Sequence, residues 1–589
     1  MTQPSAANPT FAYERGVEVP MRDGTRLNAV MYRPTEGTAS TLLVRTPYGV
    51  SSAFVGMAGN GAGFPNATSF VDAGFAVIWV EARGTFGSEG TFRPKVHESQ
   101  DGYDTIEWIV AQPWSDGRVA MYGPSYLGIT QWAAAIAGHP SLKAIAPMQT
   151  AMESYKALSY HPGGALSLSA VTSWHALMYL NDEVREITRG NGDMERISAL
   201  IAGLTDQLAL NDGTPLADHP LFAGRGWLDE VLEHPDYDVY WDAQDFSPAL
   251  SRVTVPVLAV AGWFDPFIGQ QLRDFENFQK SAGSAEAVAG SRLIVGPWDH
   301  DPALSGHFRD HDFGLFASAG AADLTGEHIR HFQRWLGPDT PSSPLPSPSR
   351  VKLFVMGVDE WRDFDDWPIP EAQPVPYYLA SGTEPGARHG KLSTLPAESE
   401  HRYEYSYDPA DPVPTTGGAQ IPTLWGFSGP ADQRPLDSRP DVLSFQTAPL
   451  DHDTEVIGHI SATLFVQSDA LDTDFTAKLI DVHPDGKALG LCDGILRMRY
   501  RTSPRTPELT QPGEVYEISI DMAATADVFR VGHRIRVDIS SSNFPRFDRN
   551  TNTGGLISRE SIDDAVVAHN AVLTGPQHPS RIILPVLRG

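Results

Sequence analysis

Met121-Tyr-Gly-Pro-Ser-Tyr-Leu-Gly128 places a serine where a short apolar run, Val119–Tyr122, gives way to the helix-spaced stretch Gln131–Ala137. A serine on such a strand-to-helix turn stands exposed at a helix N-terminus, whose N–H groups can receive an oxyanion. Ser125 is therefore a candidate nucleophile, and the backbone N–H of Tyr126 a candidate oxyanion donor. The motif departs from G-x-S-x-G, because Leu127 stands where the second glycine is expected and Gly128 follows it. Taken alone, it reads as readily as a loop serine capping a helix. A serine nucleophile needs a base, and the base needs an orienting acid. In α/β-hydrolases these follow in the order Ser, Asp or Glu, His, just beyond strand C-termini. Val255–Ala261 runs into Gly262-Trp-Phe-Asp265, and Arg292–Val295 runs into Gly296-Pro-Trp-Asp-His300. Singly, Asp265 is a helix N-cap and His300 one of 19 histidines; together, in the right order and at strand ends, they complete a triad. Asp299 is a rival acid, but a sequence neighbour seldom reaches the imidazole from behind. Thr41–Val44 leads into Arg45-Thr-Pro-Tyr48. Pro47 has no N–H to donate, whereas the Tyr48 phenol could be the second oxyanion donor or simply a packed ring.

Elements must hold these residues. Arg26–Arg33, Thr41–Val44, Phe75–Val80, Val119–Tyr122 and Lys143–Met148 read as strands, with helical faces such as Asp104–Ala111 between them. That alternation predicts a parallel sheet covered on both faces. From about 150 to 247 Leu and Ala recur at helical spacing (Ile197–Leu210, for example), which reads as a helical insertion; strand and helix signals then resume through Ile329–Leu336. A Pro/Ser-rich stretch, 340–349, resembles a linker. Beyond about 370 short alternating segments dominate. Ile460, Ala462, Leu464 and Val466 point one way, as do Ile535, Val537 and Ile539. A β-sandwich or jelly roll follows. The expected division is a hydrolase core at 1–151 and 248–368, a helical cap at 152–247 and a jelly roll at 369–589.

The chain has 589 residues and a net charge of −29, with no Lys/Arg run. That argues against nucleic acid and anionic membrane surfaces as partners. One cysteine, Cys492, rules out an intrachain disulfide and a cysteine-based zinc site. The N-terminus shows no signal-peptide pattern and no apolar run is long enough to span a bilayer, so a cytoplasmic location is expected. Asp451, Asp453, Asp469, Asp472 and Asp474 lack the spacing of a calcium loop and read as solvated loop carboxylates. Neither His328/His331 nor His307/His311 sits in an H-E-x-x-H frame, and no phosphate or dinucleotide fingerprint follows a strand. No metal or cofactor is expected.

The motifs G-P-S-Y-L-G, A-G-W-F-D, G-P-W-D-H, R-T-P-Y and A-R-G-T-F-G-S-E-G resemble those of the cocaine esterase/X-Pro dipeptidyl peptidase family of serine hydrolases. P-G-G-A-L-S (162–167), L-F-V-M-G-V-D-E-W-R-D (353–363), Y-D-P-A-D-P-V-P (407–414), G-P-A-D-Q-R-P (429–435), T-D-F-T-A-K-L-I-D-V-H-P-D-G (473–486) and S-S-S-N-F-P-R-F-D-R-N-T-N-T-G-G (540–555) extend the likeness over almost the whole chain. The resemblance implies an α/β-hydrolase core, an inserted helical cap and a C-terminal jelly roll, with the site where the three meet. It maps the triad onto Ser125, Asp265 and His300 and the oxyanion donors onto Tyr48 and the Tyr126 N–H. It also implies an aromatic acyl pocket containing Trp174 and Phe267, with Leu424 and Trp425 near the matching jelly-roll loop, and it allows a homodimer. Glu81, where many relatives carry Asp, is expected to be structural. The resulting expectation is a cofactor-free serine carboxylesterase acting on a small-molecule ester. Its rivals are an X-Pro dipeptidyl peptidase, an α-amino acid ester hydrolase or acylase, and a non-catalytic binding protein that uses its jelly roll.

Overall fold

The computed structural model describes residues 11–50, 64–212, 215–222, 224, 226–337, 349–382, 389–421 and 427–587. Ten strands in the first part are β1 (Phe11–Pro20), β2 (Arg26–Pro34), β3 (Ala39–Thr46), β4 (Ala76–Glu81), β5 (Ser115–Pro124), β6 (Leu142–Met148), β7 (Leu258–Gly262), β8 (Arg292–Gly296), β9 (Val351–Val355) and β10 (Glu360–Phe364). They form one sheet in the order β1-β2-β4-β3-β5-β6-β7-β8-β9-β10. From β4 through β9 neighbours are parallel, and β1, β2 and β10 add antiparallel edges. β3, β4, β7 and β8 are buried along their whole length, which is why they read as continuous apolar runs rather than alternating ones. β9 pairs onto β8 across the Pro/Ser stretch, most of which lies outside the described residues, and β10 pairs onto β9.

Between β6 and β7 the chain is helical, from Leu168–Thr188 through Trp227–Glu233. The expected helix Ile197–Leu210 is two helices, because Asp206 ends Met194–Thr205 and its carboxylate accepts the N–H of Ala209 to start Gln207–Asn211. P-G-G-A-L-S is the seam of this insertion with the C-terminal part. The Gly163 carbonyl accepts the Arg497 N–H at 2.9 Å. A Cβ on Gly163 would stand 2.0 Å from the Ile495 carbonyl oxygen, so two backbones touch there.

The second sheet is built from β11 (Ala372–Ala380), β12 (His389–Ser393), β13 (His401–Tyr407), β14 (Leu443–Gln446), β15 (Thr454–Ser468), β16 (Asp474–Val482), β17 (Ala488–Arg497), β18 (Val515–Phe529), β19 (Arg534–Ser540), β20 (Ala568–Thr574) and β21 (Arg581–Leu587). Its order is β13-β20-β15-β21-β11-β12-β14-β19-β16-β17, with β18 on β15. β15 alternates buried and half-buried residues, as its sequence does. Two of the five aspartates behave differently from the sequence expectation. Asp472 and Asp474 are buried, at 0% and 1% exposure. They pair with Arg499 and Arg497 at 2.7 and 2.9 Å. A buried carboxylate needs such a partner, and these partners lie more than 20 residues away, where spacing gives no hint.

A buried ionic cluster ties the loops beneath the candidate site. Arg45, fully buried, reaches Glu98 at 2.7 Å and Asp101 at 3.7 Å. Arg83 takes the other oxygen of Asp101 at 2.6 Å, and the Tyr126 phenol donates to Glu98 at 2.9 Å. The R-T-P-Y segment, the A-R-G segment, the helix Glu98–Val110 and the helix after Ser125 thus share one set of charges. Arg45→Met should leave Glu98 buried without its cation, while Asp101 keeps Arg83, and cost about 3–5 kcal/mol. Equilibrium urea unfolding measures it, and a loss below about 1 kcal/mol would mean that the cluster holds nothing together.

Candidate active site

Ser125 follows β5 directly and precedes the helix Tyr126–Ala137, with φ 57° and ψ −127°. For a residue with a Cβ this is strained, and the surrounding backbone holds it. The Ser125 N–H donates to the Met148 carbonyl at 2.9 Å, and the Ser125 carbonyl accepts from the Thr150 hydroxyl and the Gly128 N–H, both at 2.8 Å. Thr150 also explains where the second glycine falls. A Cβ on Gly128 would lie 2.4 Å from Thr150 Cγ2, whereas Leu127 is 1% exposed and packs into the core. The Tyr126 N–H is the first of the helix, so the fold supplies it no intrahelical acceptor.

Asp265 and His300 follow β7 and β8. Asp265 is fully buried and its Oδ2 lies 2.5 Å from His300 Nδ1, while its Oδ1 accepts the Phe267 N–H at 2.8 Å. Burial pulls the His300 imidazole down; the charge of Asp265, with Asp299 and Asp301 behind it, outweighs this and leaves its pKa above the ordinary value. Asp299 faces elsewhere and accepts the Ser428 hydroxyl from the C-terminal part. Burial raises its pKa.

Tyr48 is 3% exposed. Its phenol accepts the Trp174 Nε1–H at 3.2 Å, and the Ser125 side chain is close enough to lower its pKa against the effect of burial. Burial raises the pKa of the phenol, so it stays a proton donor. Glu81 holds the loop behind it, accepting the Val50 N–H at 3.0 Å, the Asn28 amide at 2.9 Å and the Gly87 N–H at 2.7 Å. Trp174 has two contacts that the sequence did not show together: its indole N–H orients Tyr48, and its ring stacks on Tyr126 with centroids 6.2 Å apart.

A cavity of about 410 Å³ opens at Ser125, walled by Tyr126, Trp174, Trp227, Phe267 and Ile421. Phe267 also packs on the His300 ring, 5.5 Å between centroids. Leu424 and Trp425 lie outside the described residues; Ile421, on the same segment, is the C-terminal contribution to the wall. Lys95 and His175 line the same cavity and were missed. Lys95 donates to Ser154 Oγ at 2.5 Å, and burial pushes its pKa down to about 8. His175 points Nδ1 at the Val171 carbonyl, and burial takes its pKa to about 4, so it is neutral. Neither belongs to a motif with a chemical signature; the positive φ of Lys95, 69°, is visible only in the fold.

Residues 23–302 match the X-Pro dipeptidyl-peptidase (S15) family, and residues 346–583 match the X-Pro dipeptidyl-peptidase C-terminal non-catalytic domain. The chain is 44% identical to cocaine esterase from Rhodococcus sp. (strain MB1 Bresler) over 98% of its own length and 99% of that protein. The chain belongs to the cocaine esterase/X-Pro dipeptidyl peptidase family of serine hydrolases. Among solved structures it is similar to an aminopeptidase from a marine-sediment archaeon (Thaumarchaeota archaeon; TM-score 0.80, 26% identity, covering 100% of this chain and 98% of that one). It is similar also to an α-amino acid ester hydrolase (TM-score 0.79, 25% identity, covering 100% and 98%). As in the family, an α/β-hydrolase unit precedes a β-rich C-terminal domain, and the chain is a serine ester hydrolase. Among the described residues, no helix is long and apolar enough to cross a membrane.

Two measurements probe this geometry. Tyr48→Phe keeps the ring and removes the donor; kcat should fall roughly 10²–10³-fold with Tm unchanged. A change below about threefold would make Tyr48 a packing residue. A base must be neutral to accept a proton, so activity should be lost as pH falls through the raised His300 pKa, with a midpoint above 6.5. Asp265→Asn should lower the residual rate's midpoint, because the charge that raises it is gone; an unmoved midpoint would detach His300 from the profile.

Proposed function

We propose that the chain is a serine carboxylesterase for small esters with an aromatic acyl group, cocaine-like in kind, acting through an acyl-enzyme. In this reading His300 Nε2 takes the Ser125 proton while Oγ attacks the ester carbonyl. The Tyr48 phenol and the Tyr126 N–H receive the oxyanion. The protonated imidazole then gives its proton to the departing alcohol, and a water attacks the acyl-enzyme by the same route, with Asp265 holding Nδ1 throughout. The observation that carries the reading is the strained Ser125 in contact with the Tyr48 phenol at the mouth of an aromatic cavity.

Charge favours this over an amine-bearing substrate. An α-amino ester or a peptide N-terminus brings a cation that needs carboxylates to receive it. Lys95 instead presents a cation to the cavity. Glu230 is the acidic residue lining it, and Arg93 pairs with Glu230 at 3.3 Å. Glu230 is the feature that would support the α-amino ester reading.

Ser125→Ala should abolish turnover with Tm unchanged, leaving at most a residual ~10³–10⁴-fold over water; wild-type kcat would reassign the nucleophile. Phenyl benzoate should be hydrolysed with kcat/KM at least about tenfold above phenylglycine methyl ester and Gly-Pro-p-nitroanilide, a difference of about 1.4 kcal/mol. Lys95→Met should narrow that gap by improving the amino ester. An amino ester preferred by the wild type would overturn the substrate class while leaving the serine mechanism intact.

A further inference from the structure

Asp481 and His483 are two apart at the end of β16, so they share one face of the strand. β16 pairs antiparallel with β19, with Val482 opposite Arg534. Continuing that register sets His483 opposite His533, in the turn before β19. The three side chains meet at the rim of the jelly roll. His533 Nδ1 lies 2.9 Å from Asp481 Oδ2, His483 Nε2 lies 3.5 Å from the same oxygen, and the imidazole centroids are 4.4 Å apart. One ligand atom from each falls within 4.8 Å of the others. Tetrahedral bonds of about 2.0–2.2 Å separate ligand atoms by about 3.3–3.6 Å, so small side-chain shifts suffice.

A histidine–aspartate hydrogen bond would account for His533 and Asp481 alone. It accounts neither for His483 nor for what lies behind. Asp527 of β18, 2% exposed, feels the charges of Asp481 and Asp359 and has a buried Oδ2 without a hydrogen-bond partner. Among the described residues neither Asp481 nor Asp527 has an Arg or Lys ion-pair partner. Asp101 and Asp474 pair with arginines, and Asp265 and Asp481 each have a histidine, whereas the buried Asp527 Oδ2 has no partner. Two buried carboxylates within reach of each other's charge and without an Arg or Lys are costly unless an ion or a proton is held near them.

We propose that Asp481, His483 and His533 form a divalent transition-metal site, of the kind that takes Zn²⁺, with Asp527 supplying charge from behind. Two imidazoles and a carboxylate suit zinc rather than magnesium or calcium. None of the three lines the cavity at Ser125, so the ion is structural: it clamps the β16–β17 turn to the β18–β19 turn.

The test uses full-length protein freed of metal with EDTA. Metal-free protein should take up about one Zn²⁺ per chain by calorimetry and elemental analysis. Zn²⁺ should raise Tm, Mg²⁺ and Ca²⁺ should not, and kcat for phenyl benzoate at 25 °C should be the same with and without zinc. Co²⁺ in the site should give the visible absorption of a tetrahedral nitrogen/oxygen environment. His483→Phe and, separately, His533→Gln should weaken Zn²⁺ binding at least about 100-fold while keeping esterase activity, which shows that each variant is folded. Zinc uptake below a tenth of an equivalent, or uptake unchanged in both variants, would overturn the site.

Discussion

The structure turns on a single strained residue. Ser125 can stand clear of β5 and present its hydroxyl at a helix end only with a positive φ, and a residue with a Cβ resists that by about 1–3 kcal/mol. The strain persists because neighbours on every side are committed elsewhere. β6 fixes the N–H through Met148, Thr150 fixes the carbonyl, and Gly128 gives up its side chain so that Thr150 can approach. The helix that follows is in turn anchored by the Tyr126 phenol on Glu98, which belongs to Arg45 and so to the loop carrying Tyr48. Ser125 and Tyr48 are positioned by one buried charge cluster.

Electrostatics in the site runs against the composition of the chain. The protein carries −29 overall, yet the cavity wall presents Lys95 and offsets Glu230 with Arg93. Asp265 is sealed behind His300 with both oxygens engaged. Its charge acts on the imidazole rather than on the substrate. The second aspartate of G-P-W-D-H serves the domain junction through Ser428. Adjacent residues of one motif therefore do different work, because successive side chains leave the backbone in different directions.

The C-terminal domain contributes more than a cover. Its backbone meets the helical insertion at Gly163, its Ser428 ties down the loop carrying His300, and Ile421 closes the cavity. A cross-link between two of its turns would stiffen the layer against which the site is assembled, without entering the chemistry.

Much of this was legible in the sequence. Buried parallel strands are continuous apolar runs, so β3, β4, β7 and β8 could be read, and with them the strand ends where Ser125, Asp265 and His300 stand. The alternation in β15 announced a half-buried sheet for the same reason: side-chain direction along a strand is local. The opening strand β1 was not read, since its half-exposed residues show no clean period. What the sequence could not determine was any pairing between distant segments. Asp472 and Asp474 looked like solvated loop acids until Arg497 and Arg499 were brought against them. Lys95 belongs to no motif, and only its burial sets it in the wall of the cavity; Asp481, His483 and His533 carry no recognised spacing until β16 and β19 pair. Residue types and local period depend on covalent neighbours and are written in the chain; burial and charge partners depend on which segments the folded layers bring into contact, and only the tertiary structure decides them.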